Sequence, residues 1–244
     1  MTSDPLLERA RSLWESLAAV PVSFAGHGTT VIASPDSQLC PQSWAGIVEL
    51  GESAIVTVPT EAAVEPVARA LKHLTTGSLT DPQILKAALP VREILGPATL
   101  AYVSSDRFLP IGSDVEVEQL APGHPDLREL EASVSPEDAD EGGIGEITGP
   151  AFVVREGAEV VAAAGYQLWP RATAHLCVLT ATTARGRGLA RSASSAAVAH
   201  ALANDLLPQW RARPAASRRV ALALGFRELG AQLSVRLDPD RLEA

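Results

Sequence analysis

Apolar residues recur at helical spacing near the start of the chain. Leu6, Leu7, Ala10, Leu13, Trp14 and Leu17 share one face, which predicts a helix over 6–17. Two short apolar runs, 46–50 and 54–58, flank a Gly-Glu-Ser turn and predict a hairpin. Thr60 stands where it can cap a helix reaching residue 74, with Val64, Val67, Leu71 and Leu74 inward and Pro66 marking a kink or a late start. After the Gly96-Pro97 turn signal, residues 100–103 predict another strand.

The pattern changes near Gly112. Alternation over 115–120 predicts a strand, Pro122 and Gly123 end it, and Pro125 opens a short helix over 126–132. Residues 137–146 are acidic and glycine-containing and read as a loop. Strands over 152–154 and 160–166 form a hairpin across Glu156 and Gly157, and 175–180 is a third strand. An alanine-rich helix over 189–204, a short strand at 206–210, a helix at 215–224 between Pro214 and Gly225, and a strand at 232–237 complete the chain. A hairpin followed by strand, helix, strand, helix and strand calls for an α/β fold (α+β mixed sheet), part antiparallel and part parallel. On this reading residues 1–111 form an N-terminal α/β module of unassigned fold, and residues 112–244 form a second domain.

Composition narrows the function. The chain has 244 residues and a formal net charge of −9, which argues against a dedicated DNA binder. Its two cysteines, Cys40 and Cys177, cannot build a disulfide framework and read as small core residues in a reducing cytoplasm. The N-terminal stretch carries Asp4 and Glu8 and lacks a basic region followed by an apolar run, so it is not an ordinary signal peptide. No apolar stretch approaches the length of a membrane span. The expected location is the cytoplasm, with no membrane partner and no metal site. No motif marks an oligomer interface.

The segment with legible chemistry is the strand His175 to Thr180, a short loop, then Arg185, Gly186, Arg187, Gly188, Leu189 and Ala190 opening a helix. Glycines let a ligand approach the backbone closely. The free N–H groups of a helix's first turn, with its dipole, attract an anion, and arginines add charge suited to phosphate. The physics alone therefore points to a phosphorylated ligand at 185–190.

Here the sequence resembles a known family. Arg-x-x-Gly-x-Ala over 185–190 is similar to the pyrophosphate-binding motif of the GNAT superfamily of N-acetyltransferases, and the segment 217–226, ending Leu-Gly-Phe, resembles that family's closing helix. The resemblance covers about residues 112–244. It implies a GNAT-like acyl-CoA N-acyltransferase fold and acetyl-CoA as cosubstrate. Val178, Leu179 and Thr180 would then offer backbone groups to the pantetheine arm, like an added strand. Arg185, Gly186, Arg187, Gly188, Leu189 and Ala190 would hold the pyrophosphate, and Arg191 would help neutralise a phosphate.

The sequence departs from the family pattern at three places. Ala221 stands where many members carry a general-acid Tyr, Pro214 where an Asn touches CoA, and Gln209 where some carry a catalytic Glu. Candidates to manage protons are His175 on the third strand, Glu141 and Glu146 before the hairpin, and Tyr166 as a general acid. Tyr166 and Trp169 also suit the wall of a substrate pocket. The acids Glu137, Asp138, Asp140 and Glu141 would draw in a cationic amine.

The expected function is acetyl transfer to a primary amine of a small molecule or peptide, by direct attack in a ternary complex. Two other readings stand beside it. One is a CoA-binding module without turnover. The other is an RNA- or nucleotide-binding protein using the arginines between 185 and 219, although Trp210 alone supplies an aromatic for base stacking in that span.

Overall fold

The computed structural model describes residues 4–112 and 115–242. Met1–Ser3, read above with the N-terminal stretch, lie outside the described residues. In chain order the elements are α1 (Pro5–Leu17), β1 (Gly28–Ala33), β2 (Ala45–Leu50), β3 (Ser53–Val58), α2 (Val64–Leu71), α3 (Pro82–Ala88) and β4 (Val91–Tyr102). They continue with β5 (Glu118–Leu120), α4 (Pro125–Ala132), α5 (Pro136–Gly142), β6 (Ala151–Glu156), β7 (Glu159–Trp169) and β8 (Thr173–Thr180). The last are α6 (Leu189–Ala203), β9 (Leu207–Ala212), α7 (Ala215–Ala223), β10 (Arg227–Leu237) and α8 (Pro239–Leu242). These group into two compact units: Met1–Leu100 with Glu228–Ala244, and Ala101–Arg227.

The first unit is a sheet in the order β1-β3-β2-β10-β4. The predicted hairpin is β2 and β3, antiparallel with Leu50 opposite Ser53. Asp4 caps α1 by accepting from Leu6 N (3.2 Å) and Leu7 N (3.4 Å), with Pro5 as the first helical residue. Such a cap stabilises a helix by about 1 kcal/mol. The core is formed by residues such as Ile47, Val56, Val58, Leu71, Leu85 and Leu233. Sequence reasoning put the boundary at 111/112 and left the last strand with the second domain. The structure instead pairs β10 with β2, from Gly230 opposite Leu50 to Val235 opposite Ala45, so the chain returns to its first unit.

The second unit holds the site. Its sheet runs β9-β8-β7-β6-β5. The β6–β7 hairpin turns at Gly157 and keeps Phe152 opposite Ala164. β7 and β8 are antiparallel, from Ala162 opposite Thr180 to Trp169 opposite Thr173. β9 is parallel to β8. Helix α6 owes its closeness to the sheet to small residues: Ser192, Ala193, Ser194, Ala197 and Ala201 form its buried side. The acidic stretch read as a loop is helix α5, started by Ser135, whose Oγ accepts from Asp138 N (3.1 Å), and stopped by Gly143 in the left-handed region.

Candidate functional site

Gly186 and Gly188 have φ of +77° and +82°, a backbone conformation that side chains resist. A Cβ built at either would meet nothing within 4 Å, so the space in front of both is open. Leu189 is buried and pins the helix start, while residues 185–188 are exposed. Gly188 is the N-cap and no side chain caps the helix. The Gly188 carbonyl accepts from Arg191 N (3.0 Å) and Ser192 N (3.2 Å). The N–H groups of Leu189 and Ala190 are then the first two of the helix and have no acceptor within it. With the helix dipole behind them, they form a place for an anion.

The arginines around this turn are held in place by acids. Arg185 Nη2 lies 2.9 Å from Asp138 Oδ2, and Arg187 pairs with Glu156. Arg185 also donates from Nε to Thr180 O (3.4 Å). The hydrogen bond from Arg185, with one from Ser135, holds the Asp138 carboxyl below its ordinary range. Arg213 pairs with Glu141, whose Oε1 also accepts from Arg213 N (3.4 Å). Glu141 is therefore committed to a cation. The acids of α5 are in part partners of arginines, so the picture of a freely solvated acidic loop drawing in an amine is corrected.

Beside the turn, two strands part. The parallel pairing of β8 with β9 runs from Thr173 opposite Leu207 only to His175 opposite Gln209. Beyond that rung β8 continues to Thr180 paired on its β7 side alone. Ala181 N donates to Val161 O (2.9 Å), so by alternation Cys177 and Leu179 also turn their backbone groups toward β7. Val178 and Thr180 turn theirs toward the gap. Of the three residues expected to offer backbone groups, Val178 and Thr180 turn theirs away from β7, with Thr180 O accepting from Arg185, while Leu179 has its groups in the ladder with β7.

The faces of the sheet separate the residues expected to act together. Tyr166 and His175 lie on opposite faces, because Tyr166 pairs with Leu176 and His175 with Gln167. Tyr166 is buried under α6, its hydroxyl 3.0 Å from His200 Nδ1 and its ring stacked on that imidazole. Burial pushes the Tyr166 hydroxyl up. A shallow depression of about 500 Å³ lies against His200, with Leu120, Pro122, Gly149 and Pro150 in its wall. Tyr166 is thus a packing residue of the α6 face, as its buried contacts require, and it cannot serve a proton transfer on the His175 face.

His175 stacks on Trp169 with ring centroids 4.0 Å apart and planes 16° apart. Its Nδ1 is 2.5 Å from Gln209 Oε1. With the amide oxygen as partner, Nδ1 carries the hydrogen and donates. Burial, with the positive charge of Arg211, pushes the imidazole down to about 3. His175 is therefore neutral at pH 7 and holds a proton only weakly. Arg211 lies 5.9 Å from the Trp169 ring centroid. Cys177, next along this face, has its thiol pushed up to about 12 by burial, with the negative charge of Glu146 adding to it. His175, Trp169, Gln209, Arg211, Cys177 and Glu146 thus lie near one another on this face of the sheet.

Sequence reasoning singled out most of these residues without seeing that they converge. It passed over His200, which reads as an ordinary helical position. Gln209 was noted only for what it is not. Among the described residues, no group of His, Cys, Asp or Glu is arranged to hold a metal ion, and no helix is long and apolar enough to cross a membrane.

Comparison with known proteins agrees with the turn and the strands around it. Residues 143–231 match the family model described as GNAT acetyltransferase. An acetyltransferase from the GNAT family of Colwellia psychrerythraea superposes with a TM-score of 0.51 at 11% identity, over 98% of each chain, a likeness of fold. A GNAT-family protein from Novosphingobium aromaticivorans DSM 12444 aligns at 23% identity with a TM-score of 0.47. That alignment covers 59% of this chain and 65% of the other, under two thirds of its length. A tandem GNAT protein from the clavulanic acid biosynthesis pathway aligns at 14% identity and a TM-score of 0.46, over 98% of this chain and 97% of its own. No curated protein matches the chain. Residues 143–231 thus match the GNAT acetyltransferase family model, in a chain whose fold is like that of a GNAT-family protein.

Proposed function

We propose that the chain is an acyl-CoA-dependent N-acetyltransferase that acylates a primary amine of a small molecule or peptide. The observation that carries this reading is the end of β8–β9 pairing at His175 and Gln209, beside an uncapped helix start whose two glycines face open space. The residues present fit a CoA thioester. The turn from Arg185 to Ala190 suits the pyrophosphate, with Arg191 beside it, and Val178 and Thr180 offer backbone groups to an extended arm.

Acetyl-CoA, when bound, supplies an activated acyl group. The chain's own residues supply position and charge. Arg185 and Arg187, paired here with Asp138 and Glu156, would hold the phosphates when the cosubstrate is bound. Trp169 and the neutral His175 wall the acceptor side, with His175 available to accept a hydrogen bond from an uncharged amine. Glu146 is the carboxylate on this face suited to drawing in an ammonium. With both substrates bound, the uncharged amine would attack the thioester carbonyl carbon directly, the amide C–N bond forming as the C–S bond breaks, and CoA would leave as a thiolate that takes up the proton released by the amine nitrogen.

A CoA-binding module without turnover is the second reading, favoured by the buried Ala221 on α7, where the family often has a Tyr. A nucleic-acid role for the arginine span is weakened by the carboxylate pairs at Arg185, Arg187 and Arg213. Calorimetric titration with acetyl-CoA, followed by thiol release in the presence of an amine panel, decides among these. Micromolar binding with release supports the transferase. Binding without release to any amine supports the module. No binding overturns both.

A further inference from the structure

We propose that Gln209 is a hydrogen-bond donor to the acyl carbonyl oxygen, and that this donor makes the site favour acyl-CoA over free CoA. The inference rests on the acyl-CoA reading of the gap.

Gln209 is fully buried on β9. Its Oε1 is committed to His175 Nδ1 at 2.5 Å, which fixes the orientation of the amide. The other end of the same amide, Nε2, is buried and has no acceptor among the described residues. Two N–H bonds are left unmet at a place where proteins seldom leave one. The residue sits on the last paired rung of β8 and β9, where the strands begin to part. An atom that satisfies Nε2 must be a hydrogen-bond acceptor. An ammonium is the wrong partner, since Nε2 offers only hydrogens and Arg211, two residues along on the same face, repels a cation.

A carbonyl oxygen is the right partner. On the acyl-CoA reading, an arm held by the turn at 185–190 and the backbone of Thr180 and Val178 would lie along β8 with its acyl end toward this rung. The negative charge that builds on the acyl oxygen during amine attack strengthens a hydrogen bond from Nε2, which is how a fixed donor speeds acyl transfer. His175 takes the part of a positioning residue: by donating to Oε1 it leaves Nε2 as the end of the amide with hydrogens to give.

The test compares acetyl-CoA with free CoA in calorimetric titrations of wild type, Gln209→Met and Gln209→Glu, alongside steady-state transfer to an amine. Glu keeps an oxygen for His175 Nδ1 and so guards the fold; Met removes both ends of the amide. Wild type is expected to prefer acetyl-CoA, and both variants to bind the two ligands equally. In Gln209→Met kcat should fall by about 10²–10³-fold, the usual loss for one such donor, with KM for the amine unchanged, while Gln209→Glu, which puts a carboxyl where some family members carry a catalytic one, is read for ligand preference alone. Folded variants that keep the preference and kcat overturn the proposal. Equal affinity of wild type for the two ligands, with transfer intact, overturns it while leaving the acyl-CoA reading standing. No binding of either ligand by wild type overturns both.

Discussion

Gly188 offers a perturbation whose two effects can be worked out separately. Its φ of +82° lies in the left-handed region, where an L side chain costs about 1–2 kcal/mol. A Cβ there meets nothing within 4 Å, so no packing penalty is added. Gly188→Ala should therefore lose about 1–2 kcal/mol, a drop in Tm of about 2–8 °C for a chain of this size. Gly188→Trp bears the same backbone cost and also fills the open space in front of the first two helical N–H groups. Micromolar acetyl-CoA affinity corresponds to about −8 kcal/mol, and excluding the pyrophosphate should weaken it at least about 100-fold, or about 2.7 kcal/mol. The assay is calorimetric titration of both variants, with melting by circular dichroism to confirm the fold. Gly225 is the contrast: it also has positive φ (+87°), yet a Cβ there would lie 2.1 Å from the Arg107 carbonyl oxygen, so Gly225→Ala should fail to fold. A folded Gly188→Trp that binds acetyl-CoA within twofold of wild type would refute the assignment of the turn.

Other outcomes follow from the contacts. Asp138→Asn releases Arg185 from its carboxylate and should tighten acetyl-CoA binding on the order of two- to fivefold, less at high salt, in titrations at two ionic strengths. His175 should stay neutral and in its Nδ1–H form throughout pH 5–8 by nitrogen-15 NMR, since its folded value is pushed down to about 3. Because the unfolded chain takes up that proton first, His175 should cost stability as pH falls from about 6.5 toward 3, and denaturant melts of His175→Leu should show a shallower loss there. Tyr166→Phe removes the hydroxyl bond to His200 and should cost about 1 kcal/mol of stability while keeping kcat within threefold, because Tyr166 lies on the other face. A kcat loss above tenfold in folded Tyr166→Phe would restore Tyr166 as a proton donor.

Much of the site-bearing unit is legible in its residues, for local reasons. The turn at 185–190 announces itself through paired glycines between a strand pattern and an alanine-rich helix, and α6 and α7 fall within a residue or so of expectation. The hairpin β6–β7 is marked by Glu156 and Gly157. What local pattern does not encode is register and return. That Tyr166 and His175 face apart follows from Tyr166 standing opposite Leu176, a pairing that periodicity leaves open. Helix α5 was hidden because its acids resemble a solvated loop, yet Ser135 caps it and Arg185 and Arg213 neutralise two of its carboxylates. Strand β1 and the first part of β4, with only partly buried residues, carry too weak an alternation to stand out. The unfilled donor of Gln209 needs both the burial of β9 and the bond to His175 before it can be seen.

The pairing of β10 with β2 has a consequence for how the protein is made. Residues 101–227 form an uninterrupted stretch, whereas the first unit needs Gln232, Leu233 and Ser234 beside Val48, Ile47 and Gly46. During synthesis the unit begun first is therefore the last to be completed. Its strands β1 to β3 must wait, with their edge on the β10 side unfilled, while more than a hundred residues of the inserted unit leave the ribosome and fold. A chain that ended just after residue 227 would carry a finished second unit attached to an unfinished first one.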